Sequence, residues 1–190
     1  MTVGRGFWRA LALGAVAVAG SLPASATSLV RADLHRIAAE NALIVRGEVV
    51  DVYSHWNEDG NFILSDIRVV VEDTLKGQPQ REIVFTAMGG TVGDLSTVIV
   101  GGPEIEVGKR YVLFLNREDV PGRKSTLYVR DLSMGIFDIV DSPQGAWAIS
   151  QAVGHPLLPD ASGSVEPPGG FSGLSLENLG RAVRDAARNR

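Results

Sequence analysis

The chain has 190 residues, of which 45% are hydrophobic and 21% charged, with 22 Gly and no Cys. This length suits one globular domain with appendages, and the apolar content with a net charge of −4 excludes a disordered chain. With 18 Lys and Arg against 22 Asp and Glu, the charge argues against non-specific nucleic-acid binding, and the lack of Cys excludes disulfides, thiolate metal sites and cysteine nucleophiles.

Residues 1–26 predict an export signal. Arg5 and Arg9 give a positive start, an uncharged run covers 10–20, and Pro23 precedes the small residues of a signal-peptidase site at 24–26. Cleavage there would leave 16 basic and 22 acidic residues, a net charge of −6. The alternative is a retained membrane anchor, since the uncharged stretch approaches spanning length. We expect cleavage, and therefore a periplasmic or extracellular protein without a stable membrane anchor.

The next segment predicts a short helix followed by a long strand. Apolar residues at helical spacing predict the helix over 32–42, and alternation predicts a strand from Leu43. Gly47 in mid-strand indicates a bulge, because glycine permits close backbone approach. The apolar phase then shifts by one at Val50 and Val52, as a bulge would cause.

Further short strands are predicted with turn signals between them, over 62–75, 82–88, 97–100, 109–116, 127–130, 135–140 and 146–149. No helix separates them, so we expect antiparallel pairing. The pattern predicts a mainly β domain over 32–152, a small antiparallel barrel with an OB-like arrangement. The alternative is a β-sandwich.

Composition changes again after the strands. Residues 153–173 are rich in Pro and Gly and predict a linker. A C-terminal helix is predicted over 174–190, with Ser175 as its cap and an apolar stripe of Leu176, Leu179 and Val183. So few apolar residues cannot hold a helix alone, so it docks either on its own barrel or on a partner.

Catalytic and metal chemistry have little support in the sequence. No histidine lies in a known catalytic motif, and His55, at a strand end, is the best candidate for an atypical hydrolase site. The oxygen-bearing residues Asn57, Asp59 and Asn61 resemble a calcium loop, but Gly60 comes too early, which favours a hairpin turn. We therefore predict no catalytic residue, no metal and no cofactor.

A contact surface is the more promising feature. The exposed aromatic residues near the end of the first long strand lie beside a Gly-rich segment in the expected fold. The candidate ligand- or partner-binding residues are Tyr53, His55, Trp56, Gly89, Gly90 and Gly93. Core packing is the alternative for Trp56, and Trp147 is predicted in the core from its alternation with Ile149.

The chain resembles a family of uncharacterised bacterial secreted proteins over about residues 33–138. The resemblance is carried by 42–49, Trp56, 71–77, the glycines at 89, 90 and 93, Gly102-Pro103, and 108–115. It implies export and no particular activity.

The opening strand, the long hairpin and Leu75-Lys76-Gly77 are also similar to netrin-like domains, which include the tissue inhibitors of metalloproteinases. That resemblance implies a five-stranded barrel. Those inhibitors act through an N-terminal Cys, which this chain lacks, so their mechanism does not transfer to it.

The sequence therefore predicts an exported binding or interaction module whose partner is an envelope or extracellular protein or glycan. Two alternatives stay open. One is an envelope hydrolase centred on His55, and the other is a protease inhibitor that uses the barrel rim.

Overall fold

The computed structural model describes residues 34–129, 132–152 and 173–188. The elements are helices α1 (Leu34–Glu40) and α2 (Leu176–Arg188), a 3-10 helix (Leu132–Gly135), and ten strands: β1 (Leu43–Trp56), β2 (Ile63–Lys76), β3 (Glu82–Met88), β4 (Gly90–Val92), β5 (Leu95–Thr97), β6 (Arg110–Val120), β7 (Arg123–Tyr128), β8 (Ile136–Ser142), β9 (Gly145–Ser150) and β10 (Gly173–Ser175). The predicted mainly β fold with a short N-terminal and a C-terminal helix is confirmed. The predicted signal at 1–26 and nearly all of the predicted linker lie outside the described residues.

Five strands pair in a circuit that returns to its first member, in the order β1–β2–β3–β7–β6–β1. Every pairing is antiparallel except that of β3 with β7, a single parallel bridge between Thr86 and Tyr128. The expectation of purely antiparallel pairing was therefore wrong. A parallel pair needs a long connection, and here residues 89–122 supply one with strands in place of a helix. Strands β8, β9 and β10 extend the sheet outward from β6.

The long strand β1 has a bulge at Val50, whereas the irregularity predicted at Gly47 has its extra residue, Glu72, on β2. The register of β1 with β2 shifts between Arg46 and Gly47 and again between Val49 and Asp51. A Cβ atom at Gly47 would overlap the carbonyl oxygen of Val70 on β2, so only glycine fits there. The second shift explains the change of apolar phase after Val49.

Two apolar cores lie on opposite sides of the sheet. The first fills the space within the strand circuit and is built from Val45, Val49, Ile67, Val69, Ile83, Phe85, Tyr111, Leu113, Leu115, Val129 and Ile136 with their neighbours. The second lies under the helices and includes Ile37, Ile44, Leu75, Val112, Phe114, Phe137, Leu179 and Val183. Helix α2 packs against α1 and the sheet. The C-terminal helix therefore docks on its own domain.

The cap of α2 is the one predicted. The Ser175 hydroxyl accepts a hydrogen bond from the backbone N–H of Asn178 at 3.3 Å, which satisfies one donor of the first turn. Of the predicted stripe, Leu179 and Val183 are fully buried and Leu176 packs at the edge of the second core. Within the described residues, no helix is long and apolar enough to cross a membrane.

Two local predictions were wrong. The strand predicted over 97–100 lies earlier, at β5, because Gly102 donates its N–H to the carbonyl of Ile99 at 2.9 Å and turns the chain. Trp147 is only half-buried, whereas its neighbour Ala148 is buried against α2 in the second core. The alternation of β9 thus points the smaller residue inward, where the helix approaches the sheet.

Candidate functional site

The end of β1 presents an aromatic pair on one face of the sheet. The rings of Tyr53 and His55 stack with centroids 5.7 Å apart and planes inclined by 22°. Two residues apart on a strand, they point to the same side, and 65% of Tyr53 is exposed. Asp66 lies directly opposite Tyr53 on β2 and shares that face.

A polar network extends from this pair across three more strands. His55 Nε2 lies 3.2 Å from Asp66 Oδ2, and Asp66 Oδ1 accepts hydrogen bonds from Arg123 at 2.5 Å and from the Thr86 hydroxyl at 2.8 Å. The hydroxyls of Thr86 and Thr126 are 2.9 Å apart. These contacts join β1, β2, β3 and β7, so the network lies over the seam where the circuit closes.

The Asp66 carboxylate is held in its charged form. Burial alone would raise the pKa of Asp66, but the hydrogen bonds from Arg123 and Thr86, with the electrostatic effects of Arg123 and His55, outweigh burial. The pKa of this carboxyl therefore lies below its ordinary value of 3.8. A carboxylate that stays charged at neutral pH and bonds side chains of two other strands is suited to fixing those strands together.

His55 is poorly placed to act as a general base. Its Nδ1 lies 2.8 Å from the backbone oxygen of Trp56, and its Nε2 faces Asp66. A base must offer a nitrogen lone pair to the hydroxyl or water that it activates. Both nitrogens of His55 face oxygen acceptors instead, so the arrangement gives no support to a hydrolase centred on this residue.

The Gly-rich segment lies on the opposite face of β1 from the aromatic pair. A Cβ atom at Gly90 would overlap the hydroxyls of Ser54 and Ser65, which are themselves 2.8 Å apart. The Ser65 hydroxyl donates to the carbonyl of Gly89 at 2.8 Å. Gly93 sits at the open turn between β4 and β5 with φ of +60°.

The six predicted contact residues are thus divided between two faces. Tyr53 and His55 share one face, whereas strand alternation places Trp56 with Ser54 on the face that carries Gly90. Trp56 is 40% exposed, so it is not a core residue. A single surface that includes all six residues is not what the structure forms.

A cleft of about 850 Å³ lies beside Gly89 and Gly90 and was missed at the sequence level. One wall consists of 88–91 and 96–104, and the other of Ser133, Asp138 and 149–151. This volume is within the range of about 300–1,000 Å³ typical of ligand sites. The sequence signal that could have indicated the cleft is the Gly101-Gly102-Pro103 turn, which follows two valines.

The rim of the cleft is apolar and exposed. Val98 is 81% exposed, Val100 66% and, on the adjoining β5, Leu95 60%. Ile99, between the two valines, is half-buried, and its side chain lies close to Gly89. We call Val98 and Val100 the apolar rim, since Leu95 does not line the cleft.

The cleft interior carries negative charge. Glu104 and Asp138 are the charged residues among the described ones that line it. Gln151 connects them, because its side-chain nitrogen donates to the Glu104 carbonyl at 2.7 Å and to Asp138 Oδ1 at 3.0 Å. Its side-chain oxygen accepts the Glu104 N–H at 3.0 Å, which holds the loop against the end of β9.

The candidate calcium loop is a hairpin turn, as predicted. Asn57 Oδ1 accepts the backbone N–H groups of Asn61 and Phe62 at 3.0 and 3.1 Å, so its oxygen is used within the turn. Within 34–129, 132–152 and 173–188, no three His, Asp or Glu side chains cluster as metal ligands would.

No protein-family model matches the chain. No curated protein is significantly similar to it in sequence. Function is therefore inferred from the geometry of the described residues.

Proposed function

We propose that this protein is an exported binding module that takes a protein partner at the cleft. The observation that carries the proposal is the apolar rim, two aliphatic side chains exposed to water along a concave surface. Contiguous apolar groups on a concave surface mark interaction sites more often than isolated ones do. Burial of a Val or Leu side chain contributes about 1.5 kcal/mol or more.

The chemistry of the rim favours a protein over a glycan. Aliphatic side chains gain free energy only from apolar partners, and a protein supplies these more readily than a hydroxyl-rich sugar. Export, expected from residues 1–26, would place the partner in the envelope or outside the cell.

Site-specific photocrosslinking tests the proposal in the host that makes the protein. Benzoyl-phenylalanine is introduced at Val98 in one variant and at Val84 in the control, which is 48% exposed on β3 and does not line the cleft. We expect a discrete crosslinked protein from position 98 and none from position 84.

The same outcome from both positions, or no adduct from position 98, would overturn the proposal. Identification of the adduct by mass spectrometry then defines the module further. A captured protease would make it an inhibitor, the alternative left open by the sequence.

A further inference from the structure

The outer edge of β5 has unpaired backbone groups that line the cleft. Strands β4 and β5 form a hairpin with the register Val92–Leu95, Thr91–Ser96 and Gly90–Thr97 around a two-residue turn. In such a hairpin the pair next to the turn and every second pair beyond it exchange hydrogen bonds. The N–H and C=O of Ser96 therefore point away from β4, on the side of the cleft.

The unpaired backbone groups continue past the end of β5 as far as Val98, before the turn from Ile99 to Gly102. Among the described residues, no backbone hydrogen bond reaches the N–H or C=O of Ser96, Val98 or Val100 from outside the hairpin. Exposed strand edges with unpaired groups are templates for a further strand. The apolar side chains of Val98 and Val100 lie beside this strand edge.

Each wall of the cleft supplies one carboxylate, Glu104 on the wall that includes β5 and Asp138 on the other. Glu104 and Asp138 lie on either side of Gln151, whose side-chain nitrogen donates to the Glu104 carbonyl and to Asp138 Oδ1. No Lys or Arg is among the described residues that line the cleft, and the nearby Lys109 is paired with Glu106 at 2.5 Å. The cleft thus combines a strand edge with two carboxylates and no basic residue in its described lining.

We infer that the cleft binds an extended polypeptide segment, which adds as a strand to the outer edge of β5 and places a Lys or Arg side chain between Glu104 and Asp138. Main-chain hydrogen bonds would supply affinity, and the carboxylates would select the basic side chain. This inference rests on the proposed function, since it names the kind of partner that the cleft takes.

A phage-displayed library of random dodecapeptides, selected for binding to the full-length chain, provides the probe. We expect the selected peptides to share β-branched residues around one Lys or Arg. Selection that yields no peptides, or peptides without a basic position, would overturn the inference.

The best selected peptide then tests each half of the inference by fluorescence polarisation. Methylation of alternate backbone nitrogens should abolish binding, because an N-methyl amide cannot donate to a strand edge. The double variant Glu104→Gln with Asp138→Asn should weaken binding by about tenfold, while Glu58→Gln, an exposed residue of the β1–β2 turn, should leave it unchanged. Full binding by the methylated peptide, or by the double variant, would overturn it.

Two further outcomes separate this inference from the proposed function. If position 98 captures a protein but no extended peptide binds, the partner is recognised as a folded surface and only the inference fails. Binding to vesicles of phosphatidylethanolamine and phosphatidylglycerol that is lost in Val98→Ser, with neither peptide nor protein bound, would overturn both.

Discussion

The side-chain amide of Gln151 bonds the backbone of Glu104 in both directions, donating to its carbonyl at 2.7 Å and accepting its N–H at 3.0 Å. The two residues are 47 positions apart, so this pair fixes the loop that forms one wall of the cleft to the end of β9. A glutamine here replaces the ladder contact that a neighbouring strand would make.

Replacement of Gln151 by Ala should loosen that loop while leaving the fold intact. Because the bonds lie near the surface, we expect a loss of only about 1 kcal/mol in the free energy of unfolding. Amide hydrogen exchange over 98–106 should accelerate markedly. Gln144→Ala, in the β8–β9 turn, is the control, and equal acceleration in both variants would contradict the assigned role of Gln151.

Acid should weaken the seam between β2, β3 and β7 through Asp66. A carboxyl whose pKa is lowered by folding stabilises the protein at pH values above its ordinary pKa of 3.8, and this stabilisation is lost as the pH falls through the folded pKa. The free energy of unfolding, measured in urea, should therefore fall less steeply in Asp66→Asn than in the wild-type protein as the pH drops from about 6 to about 2. Asp59→Asn, exposed in a turn, should keep the wild-type slope, and an unchanged slope in Asp66→Asn would count against the network.

Gly90 should not tolerate a side chain. Its φ is +130°, and a Cβ atom would overlap the hydroxyls of Ser54 and Ser65. We expect Gly90→Ala to destabilise the protein by about 2 kcal/mol or more and to displace the β4–β5 hairpin. Gly93→Asn, at an open left-handed turn position that Asn adopts readily, should melt close to the wild-type temperature.

Leu179 should contribute strongly to the packing of α2. It is fully buried in the second core, so Leu179→Ala should cost about 2–5 kcal/mol through lost contacts and the cavity left behind. Leu174→Ala, just before the helix and 40% exposed, should cost less than about 1 kcal/mol. Thermal melts of both variants decide the matter, and equal losses would mean that α2 is not held by this core.

Tyr53→Ala should leave partner binding at the cleft unchanged, because the two faces of β1 have separate roles. Because its side chain is largely exposed and lies opposite the Gly90 face, we expect an unchanged yield of the adduct from position 98. The free energy of unfolding should shift by less than about 1 kcal/mol. A loss of the adduct without a change in the melt would instead return the binding surface to the aromatic pair.

Much of the fold is visible in the sequence because its signals are local. Alternation, turn residues and the glycine of β1 predict strands and a bulge from a few neighbouring positions. The bridge between Thr86 and Tyr128 is not visible, because nothing near either residue encodes a contact across 42 positions. Which face of β9 is buried, and therefore whether Trp147 or Ala148 points inward, depends on where α2 packs, and this is also set by tertiary structure.

The candidate site was harder to predict for the same reason. Asp66 and Arg123 meet only because the circuit of strands closes, and the cleft joins residues near 100 with residues near 150. The sequence did indicate exposed aromatic and glycine residues. It could not show that β1 separates them, since one shift in register reverses which side chains share a face.

The pairing of α1 with α2 has a consequence for synthesis. Helix α1 comes from the beginning of the described chain and α2 from its end, yet both cover the same core residues, among them Ile44 and Phe114. Until α2 has been synthesised, the apolar residues that it covers therefore stay open to water.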